Sequence, residues 1–144
     1  MLVKQILCEK GREVVVIPGE ALLSEAARLL VRRRIGAVIV RDNEGGVTGI
    51  LSERDIVRAV AVLSVAALSQ SVAAHMTREV STCREADTVD DLMETMTRGR
   101  FRHMPVLDDD GRLCGIVSIG DVVKTRIEET VREATSLREY IVAG

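Results

Sequence analysis

Apolar residues recur along this chain with two different periods. Between residues 20 and 34 they fall three and four positions apart, which predicts an amphipathic helix. Residues 37–40 and 47–51 are largely apolar runs that predict strands, and the Asp and Gly residues within 42–45 are typical of a hairpin turn between them. A shorter run at residues 13–17 predicts one more strand ahead of the helix.

The same arrangement returns 66 residues later. Residues 12–60 align with residues 78–126 without a gap, and thirteen of the 49 pairs are identical, whereas chance gives roughly one match in fifteen. Each copy reads β-α-β-β-α, so the sequence predicts an α+β fold of two tandem repeats related by pseudo-two-fold symmetry. The second copy has predicted strands at 79–83, 103–107 and 113–117, a turn at 108–111, and a helix from an N-cap at Asp87 to Gly99.

We place the first repeat at residues 1–68, the second at 69–126 and a helical extension at 127–144. A short helix is predicted at residues 71–76, mirrored by residues 3–7. In the extension, apolar or small residues alternate three and four positions apart, which is a heptad-like seam. The seam either packs on its own domain or forms a dimer contact. Two heptads alone would be only marginally stable as a free coiled coil. Its members are Ile127, Thr130, Ala134, Leu137 and Ile141.

One motif closes both repeats. Residues 49–55 read Gly-Ile-Leu-Ser-Glu-Arg-Asp, and residues 115–121 read Gly-Ile-Val-Ser-Ile-Gly-Asp. In each copy a Ser follows an apolar strand and an Asp comes three residues later, as at the N-cap and N3 positions of a helix. A helix N-terminus also attracts anions, because its N–H groups and its dipole face outward. The motif therefore predicts either two capped helices alone or two nucleotide sites.

The composition limits the kinds of partner and the cellular environment that we expect for this protein. The net charge is −2, and Phe101 and Tyr140 are the only aromatic residues, which argues against nucleic-acid binding. The longest apolar run, residues 59–68, is far too short to span a membrane, and we see no signal peptide. The three cysteines are widely spaced and form no C-x-x-C pair, which argues against disulfides and zinc and favours a reducing cytoplasm.

The sequence offers little support for catalysis. Ser118, His103 and Asp121 are the residue types of a hydrolytic triad, but the Ser and the Asp lie at one helix start, with no evident way for a His to bridge them. A nucleophile elbow, a P-loop and a G-x-G-x-x-G loop are absent from the sequence, as is any metal-ligand spacing. We therefore expect neither catalytic residues nor a metal site.

Several features resemble cystathionine-β-synthase (CBS) domains. They are the duplicated β-α-β-β-α unit, the Gly-h-h-Ser-x-x-Asp motif, in which h is apolar, and the Arg-His-Met-Pro-Val run at 102–106. The Ser-Glu-Arg-Asp at 52–55 and the His-Met-Thr at 75–77 are similar to small stand-alone bacterial proteins with two CBS domains in tandem, an arrangement called a Bateman module. The resemblance covers essentially the whole chain.

The resemblance implies an adenosine-containing ligand. The first candidates are AMP, ADP, ATP and NAD(H), and S-adenosylmethionine ranks after them. In the family the motif Asp binds the ribose hydroxyls through charge-assisted hydrogen bonds. The motif Ser lies at the phosphate. Asp55 and Asp121 are thus the implied ribose ligands, and Ser52 and Ser118 the implied phosphate contacts. Residues implied to border the ligand elsewhere are Ala37, Val38, Met104, Pro105 and Thr82.

The two copies differ where a phosphate would lie. Arg54 supplies a guanidinium with forked donors in the first copy, whereas Gly120 at the matching position of the second offers only close backbone approach. Arg102 and His103 place cations on the central strand of the second copy, where the first has two small residues. Arg34, which precedes the first central strand, is a further candidate for a phosphate. We therefore expect two non-equivalent sites.

These observations favour a non-catalytic regulatory sensor of adenine nucleotides in the cytoplasm. We expect a homodimer that acts on a protein target in trans and binds neither nucleic acid nor membrane. The alternative is a constitutive dimerisation or scaffold module whose clefts stay empty.

Overall fold

The computed structural model describes residues 1–143, which form two compact units. The first unit is Glu13–Ser81, and the second consists of Met1–Arg12 and the residues from Thr82 onward. Among residues 1–143, no helical segment combines the length and the apolar composition that a membrane span requires. In chain order the elements are α1 (Val3–Lys10), β1 (Val16–Pro18), α2 (Leu23–Arg33), β2 (Ala37–Arg41), β3 (Val47–Ser52), α3 (Glu53–Leu63), a 3₁₀ helix (Ser64–Ser69), α4 (Val72–His75), β4 (Cys83–Arg84), α5 (Val89–Gly99), β5 (His103–Leu107), β6 (Leu113–Ser118) and α6 (Ile119–Ala143).

Each unit contains a three-stranded sheet with its own core. In both sheets the first strand is parallel to the middle strand and the last strand is antiparallel to it, in the orders β1-β2-β3 and β4-β5-β6. The hairpin turns end at Gly45 and Gly111, whose positive φ values of 85° and 78° suit glycine. The predicted α+β fold of two β-α-β-β-α repeats is therefore confirmed.

The two short helices, α1 and α4, do not pack with the repeats that follow them in sequence. Each packs in the unit that contains the other repeat. The first unit takes in α4, whose Val72 N–H donates to the carbonyl of Ala21 at 2.7 Å. The second unit takes in α1, which contributes the fully buried Val3 and Leu7 to that core. Each sheet is thus completed by the short helix that precedes the other repeat in sequence.

Gly49 and Gly115, the first residues of the two motifs, each lie against a side chain from the short helix of the same unit or from the residue just after it. A Cβ at Gly115 would lie 2.7 Å from a methyl carbon of Leu7 on α1. A Cβ at Gly49 would lie 2.7 Å from the sulfur of Met76, the residue after α4. Both contacts are shorter than packed atoms allow, so the motif requires glycine for this close approach.

Several predicted boundaries were wrong in detail. The N-cap of α5 is Thr88, whose Oγ1 accepts from the Asp91 N–H at 3.1 Å, while the carboxylate of Asp87 accepts from the Arg84 N–H. Gly99 does not carry the left-handed turn that ends α5, because Arg100 does, with φ of 56°. Gly99 lies beside Phe101, whose ring a Cβ at this position would meet. The first strand of each repeat is shorter than predicted, and α2 begins at Leu23.

The predicted extension is the continuation of one 25-residue helix, α6. Val122 and Thr125 are buried in the second unit, but the residues that follow them leave its core. Ile127, Leu137 and Ile141 of the heptad-like seam are between 59% and 67% exposed. The seam therefore does not pack on its own domain, and a dimer contact remains the prediction for it.

Candidate functional site

The motif of the first unit forms a reciprocal capping box at the start of α3. The Ser52 N–H donates to Oδ2 of Asp55 at 2.9 Å, and the Asp55 N–H donates to Oγ of Ser52 at 3.3 Å. The Oγ1 of Thr77 also donates to the Asp55 carboxylate, at 3.3 Å to Oδ1 and 3.4 Å to Oδ2. Asp55 is only 9% exposed. The predicted capping role is therefore confirmed, and the carboxylate is held in one orientation.

A depression of about 370 Å³ opens beside Asp55 within the first unit. Arg58 and His75 supply its other polar groups, and Nε2 of His75 lies 2.5 Å from Oε1 of Gln70. Arg58 lies one helical turn after Asp55, so both side chains lie on the same side of α3. Arg58 is not among the residues predicted from the sequence, although its spacing of three from Asp55 was a usable signal. The apolar lining consists of Ala59, Val62 and Leu63.

The motif of the second unit has the same backbone geometry. The Ser118 N–H donates to Oδ2 of Asp121 at 2.9 Å, and the Asp121 N–H donates to Oγ of Ser118 at 3.2 Å. The additional donor differs, because it is the ammonium group of Lys10, 2.7 Å from Oδ2. Lys10 also donates to the carbonyl of Ile116 at 3.0 Å. Asp121 therefore has a cationic partner within its own unit.

The electrostatics of Asp121 follow from these contacts. Burial is the largest single influence and by itself raises the pKa of the carboxyl group. The hydrogen bond and charge of Lys10, with the donors of Ser118, outweigh it, so the pKa of Asp121 is lowered below its ordinary value. At neutral pH the second site consequently holds a carboxylate–ammonium pair.

Sequence reasoning missed both Thr77 and Lys10. Lys10 is 111 positions from Asp121, and Thr77 is 22 positions from Asp55. Each lies at or just after the short helix that completes the unit, Lys10 at the end of α1 and Thr77 two residues beyond α4. The only usable signal was the predicted equivalence of these two helices, which indicated that the segments after them occupy similar places.

The middle strands bring the predicted base-bordering residues next to the motifs. Ala37 pairs with Ser52 across β2 and β3, and His103 pairs with Ser118 across β5 and β6. The Val38 and Met104 side chains that follow them point into the two cores, so these residues offer only backbone groups to the surface. Pro105 is also buried, but it is the next residue of β5, so its side chain lies on the opposite face of the sheet from Met104.

The predicted cationic residues lie on the surface. Arg54 is exposed on the first turn of α3, and Arg34 is exposed at the left-handed end of α2. Arg102 is exposed too, and its carbonyl accepts from the Ile119 N–H at 2.7 Å, which joins it to the start of α6. Thr82 is exposed just ahead of β4. Gly120 is not required by packing, since a Cβ there would meet only Oγ of Ser118, at 3.6 Å.

Metal chemistry finds no support among residues 1–143. No group of three or more His, Cys, Asp or Glu side chains in this range is placed to hold a metal ion. Cys83 is buried, and burial together with nearby charge raises the pKa of its thiol to about 12, so it stays protonated at neutral pH. The groups that the two motifs present are carboxylates, serine hydroxyls and helix N–H groups.

Comparison with known proteins identifies the family. The family model described as CBS domain matches the chain twice, at residues 3–62 and 71–128. The chain belongs to the CBS-domain family. A crystal structure of a CBS-domain protein from Agrobacterium tumefaciens is 52% identical, with a TM-score of 0.85 over 87% of this chain and 92% of that one. Among curated CBS-domain proteins, a mitochondrial one from Arabidopsis thaliana is 34% identical over 83% of this chain, which spans 60% of its length.

Two similar CBS structures contain adenosyl ligands. A CBS-domain protein from Pyrobaculum aerophilum, complexed with AMP, is 28% identical, with a TM-score of 0.75 over 84% of this chain and 89% of that one. The CBS-domain pair of protein MJ0100, in complex with 5′-methylthioadenosine and S-adenosylmethionine, is also 28% identical, with a TM-score of 0.80 over 90% of this chain and 98% of that one. CBS pairs of this fold thus include proteins that bind adenosyl compounds.

Proposed function

We propose that this CBS pair is a non-catalytic regulatory module that binds an adenosine-containing ligand, such as AMP, ADP, ATP or NAD(H), at Asp55, at Asp121 or at both. The observation that carries the proposal is the fixed orientation of these carboxylates at two helix starts. A ribose offers two vicinal hydroxyl donors, and a carboxylate accepts from both at little entropic cost when it is already oriented. The adenosyl complexes of related CBS proteins support the choice of ligand class.

The surroundings of Asp55 support a phosphorylated ligand. The start of α3 places N–H groups and a partial positive charge beside Asp55. Arg58 and His75 line the depression that adjoins this carboxylate. The predicted roles of Ser52 and Ser118 at the phosphate, and of the exposed Arg34, Arg54 and Arg102, belong to this proposal.

Regulation by such a ligand requires two conformations with different affinities for it. Binding then shifts the population toward one of them, and a protein partner reads the result. We propose a cytoplasmic homodimer as the working form, with the exposed seam of α6 as its contact.

A second function is favoured by the same seam. The apolar side chains exposed along α6 also suit a constitutive dimerisation module that binds no ligand. A thermal-shift screen with AMP, ATP, NADH and S-adenosylmethionine separates the two, because a ligand at 100 times its dissociation constant adds about 2.7 kcal/mol of stability. A raised unfolding temperature supports the sensor, and no shift with any of the four supports the dimerisation module.

A further inference from the structure

Lys10 is delivered to the second motif by a firmly attached helix. The N-terminal end of α1 is fixed by the Val3 N–H, which donates to the carbonyl of Asp87 at 2.9 Å. Its C-terminal half is fixed by Leu7, which is buried against Gly115. The Lys10 side chain itself is 33% exposed, and it extends from this fixed base to Asp121. The helix is anchored, whereas the four-carbon stem of the lysine retains freedom to move.

The ammonium group of Lys10 uses acceptor capacity that a ribose needs. Oδ2 of Asp121 already accepts from the Ser118 N–H and from Lys10, and a carboxylate oxygen has two lone pairs. A diol that binds this carboxylate through both oxygens must displace one of these donors, and only the lysine is mobile. At Asp55 the corresponding donor is the neutral hydroxyl of Thr77, at 3.3 to 3.4 Å.

The cost of this displacement depends on the ligand. A neutral nucleoside takes the carboxylate and leaves the ammonium group of Lys10 with only the Ile116 carbonyl and water, so one charged pair is lost. A nucleoside phosphate takes the carboxylate and offers the ammonium group a new anionic partner. The exchange then conserves the number of charged pairs, and the flexible stem of Lys10 is suited to following the phosphate.

We propose that Lys10 makes the Asp121 site selective for ribonucleoside phosphates over nucleosides, by moving its ammonium group from the carboxylate to the phosphate when the ribose binds. This inference rests on the proposed function, since it assumes that Asp121 binds a ribose. It assigns a specificity-determining role to a residue outside the Ser-x-x-Asp motif. The Asp55 site, with Thr77 in place of a lysine, discriminates by a different set of groups.

The test is an NMR titration of the ¹⁵N-labelled full chain with AMP and, separately, with adenosine. The amides of Ser118 and Asp121 report the second site, and those of Ser52 and Asp55 report the first, so each site has its own dissociation constant. For Lys10→Met we expect AMP to bind the second site about tenfold more weakly, which corresponds to the loss of one charged hydrogen bond. Adenosine should bind that site more tightly, and the first site should not change.

Two control variants sharpen the result. Lys4→Met removes an equal charge from the exposed surface of the same helix and should leave both sites as they are in the wild type. Lys10→Arg keeps a cation at the end of the helix and should retain most of the preference for AMP. Together they separate a specific role of Lys10 from a general loss of positive charge.

The possible outcomes distinguish a failure of the role of Lys10 from a failure of the proposed function. If Lys10→Met weakens both ligands equally at the second site, or changes neither, the role of Lys10 is wrong while the proposed function stands. The same holds if ligands bind only at the first site. If none of AMP, ATP, NADH and adenosine shifts any of the four amides in the wild type, the proposed function fails, and this inference fails with it.

Discussion

The hydroxyl of Thr77 lies 3.3 Å from one carboxylate oxygen of Asp55 and 3.4 Å from the other. This contact joins the segment after α4 to the start of α3, and the backbone of Thr77 strengthens it by pairing with Ile50. The ribose-binding candidate of the first unit is therefore oriented both by its own helix and by a distant segment.

We predict that Thr77→Val destabilises the protein by about 1 kcal/mol, the usual net worth of one hydrogen bond. Valine keeps the shape of the side chain but removes the donor to the buried Asp55 carboxylate. Chemical denaturation measures the change in the free energy of unfolding. Thr135→Val, at an exposed position of α6, is the control, and an equal effect of both variants would show that the contact with Asp55 contributes nothing.

Gly115 and Gly120 of the second motif allow a matched pair of alanine variants, whose expected effects on stability have opposite signs. Gly115→Ala should destabilise the protein by about 1 to 3 kcal/mol, because the new Cβ would lie 2.7 Å from Leu7. Gly120→Ala should stabilise it by about 0.5 to 1 kcal/mol, because alanine is the better helix former and its Cβ meets only an ordinary contact at 3.6 Å. Thermal unfolding of both variants checks this, and a stable Gly115→Ala would contradict the packing of α1.

The Lys10–Asp121 pair predicts a pH dependence of stability. The pKa of Asp121 is lowered in the folded state, so its contribution is present above the unfolded-state pKa of about 3.9 and is lost as the pH falls through the folded-state value. Lys10→Met should therefore be less stable than the wild type at pH 7, and the difference should shrink below about pH 4. Urea unfolding at pH 7 and pH 3 measures this, and a difference that does not depend on pH would rule out the ion pair as its source.

The exposed seam of α6 predicts a dimer that a single charge disrupts. Leu137→Asp should yield monomers in size-exclusion chromatography with light scattering, because an aspartate in an apolar contact is left without a partner. Ser136→Asp adds the same charge at the neighbouring position and should leave the dimer intact. A Leu137→Asp protein that remains dimeric would place the subunit contact elsewhere.

Local patterns were sufficient for much of this fold. The apolar run at 103–107 defined β5 to the residue, and the Ser-x-x-Asp spacing predicted both capping boxes. The prediction of Asp87 as N-cap was wrong because the next residue, Thr88, is also a good cap residue, and the backbone path places Thr88 at that position. The exchange of α1 and α4 between the units, and with it the roles of Lys10 and Thr77, depends on tertiary packing between distant segments. No local pattern encodes that packing.

Calorimetric titration of AMP into the wild type and into Asp55→Ala/Asp121→Ala tests the central claim most directly, with Glu53→Ala as a control on the exposed side of α3. We predict saturable binding to the wild type and to Glu53→Ala. Each single Asp variant should lose about 1.5 to 3 kcal/mol of binding free energy at an occupied site, as expected for charged hydrogen bonds, and the double variant should show no measurable binding. A double variant that binds AMP as tightly as the wild type would contradict the assignment of these carboxylates as the ribose ligands.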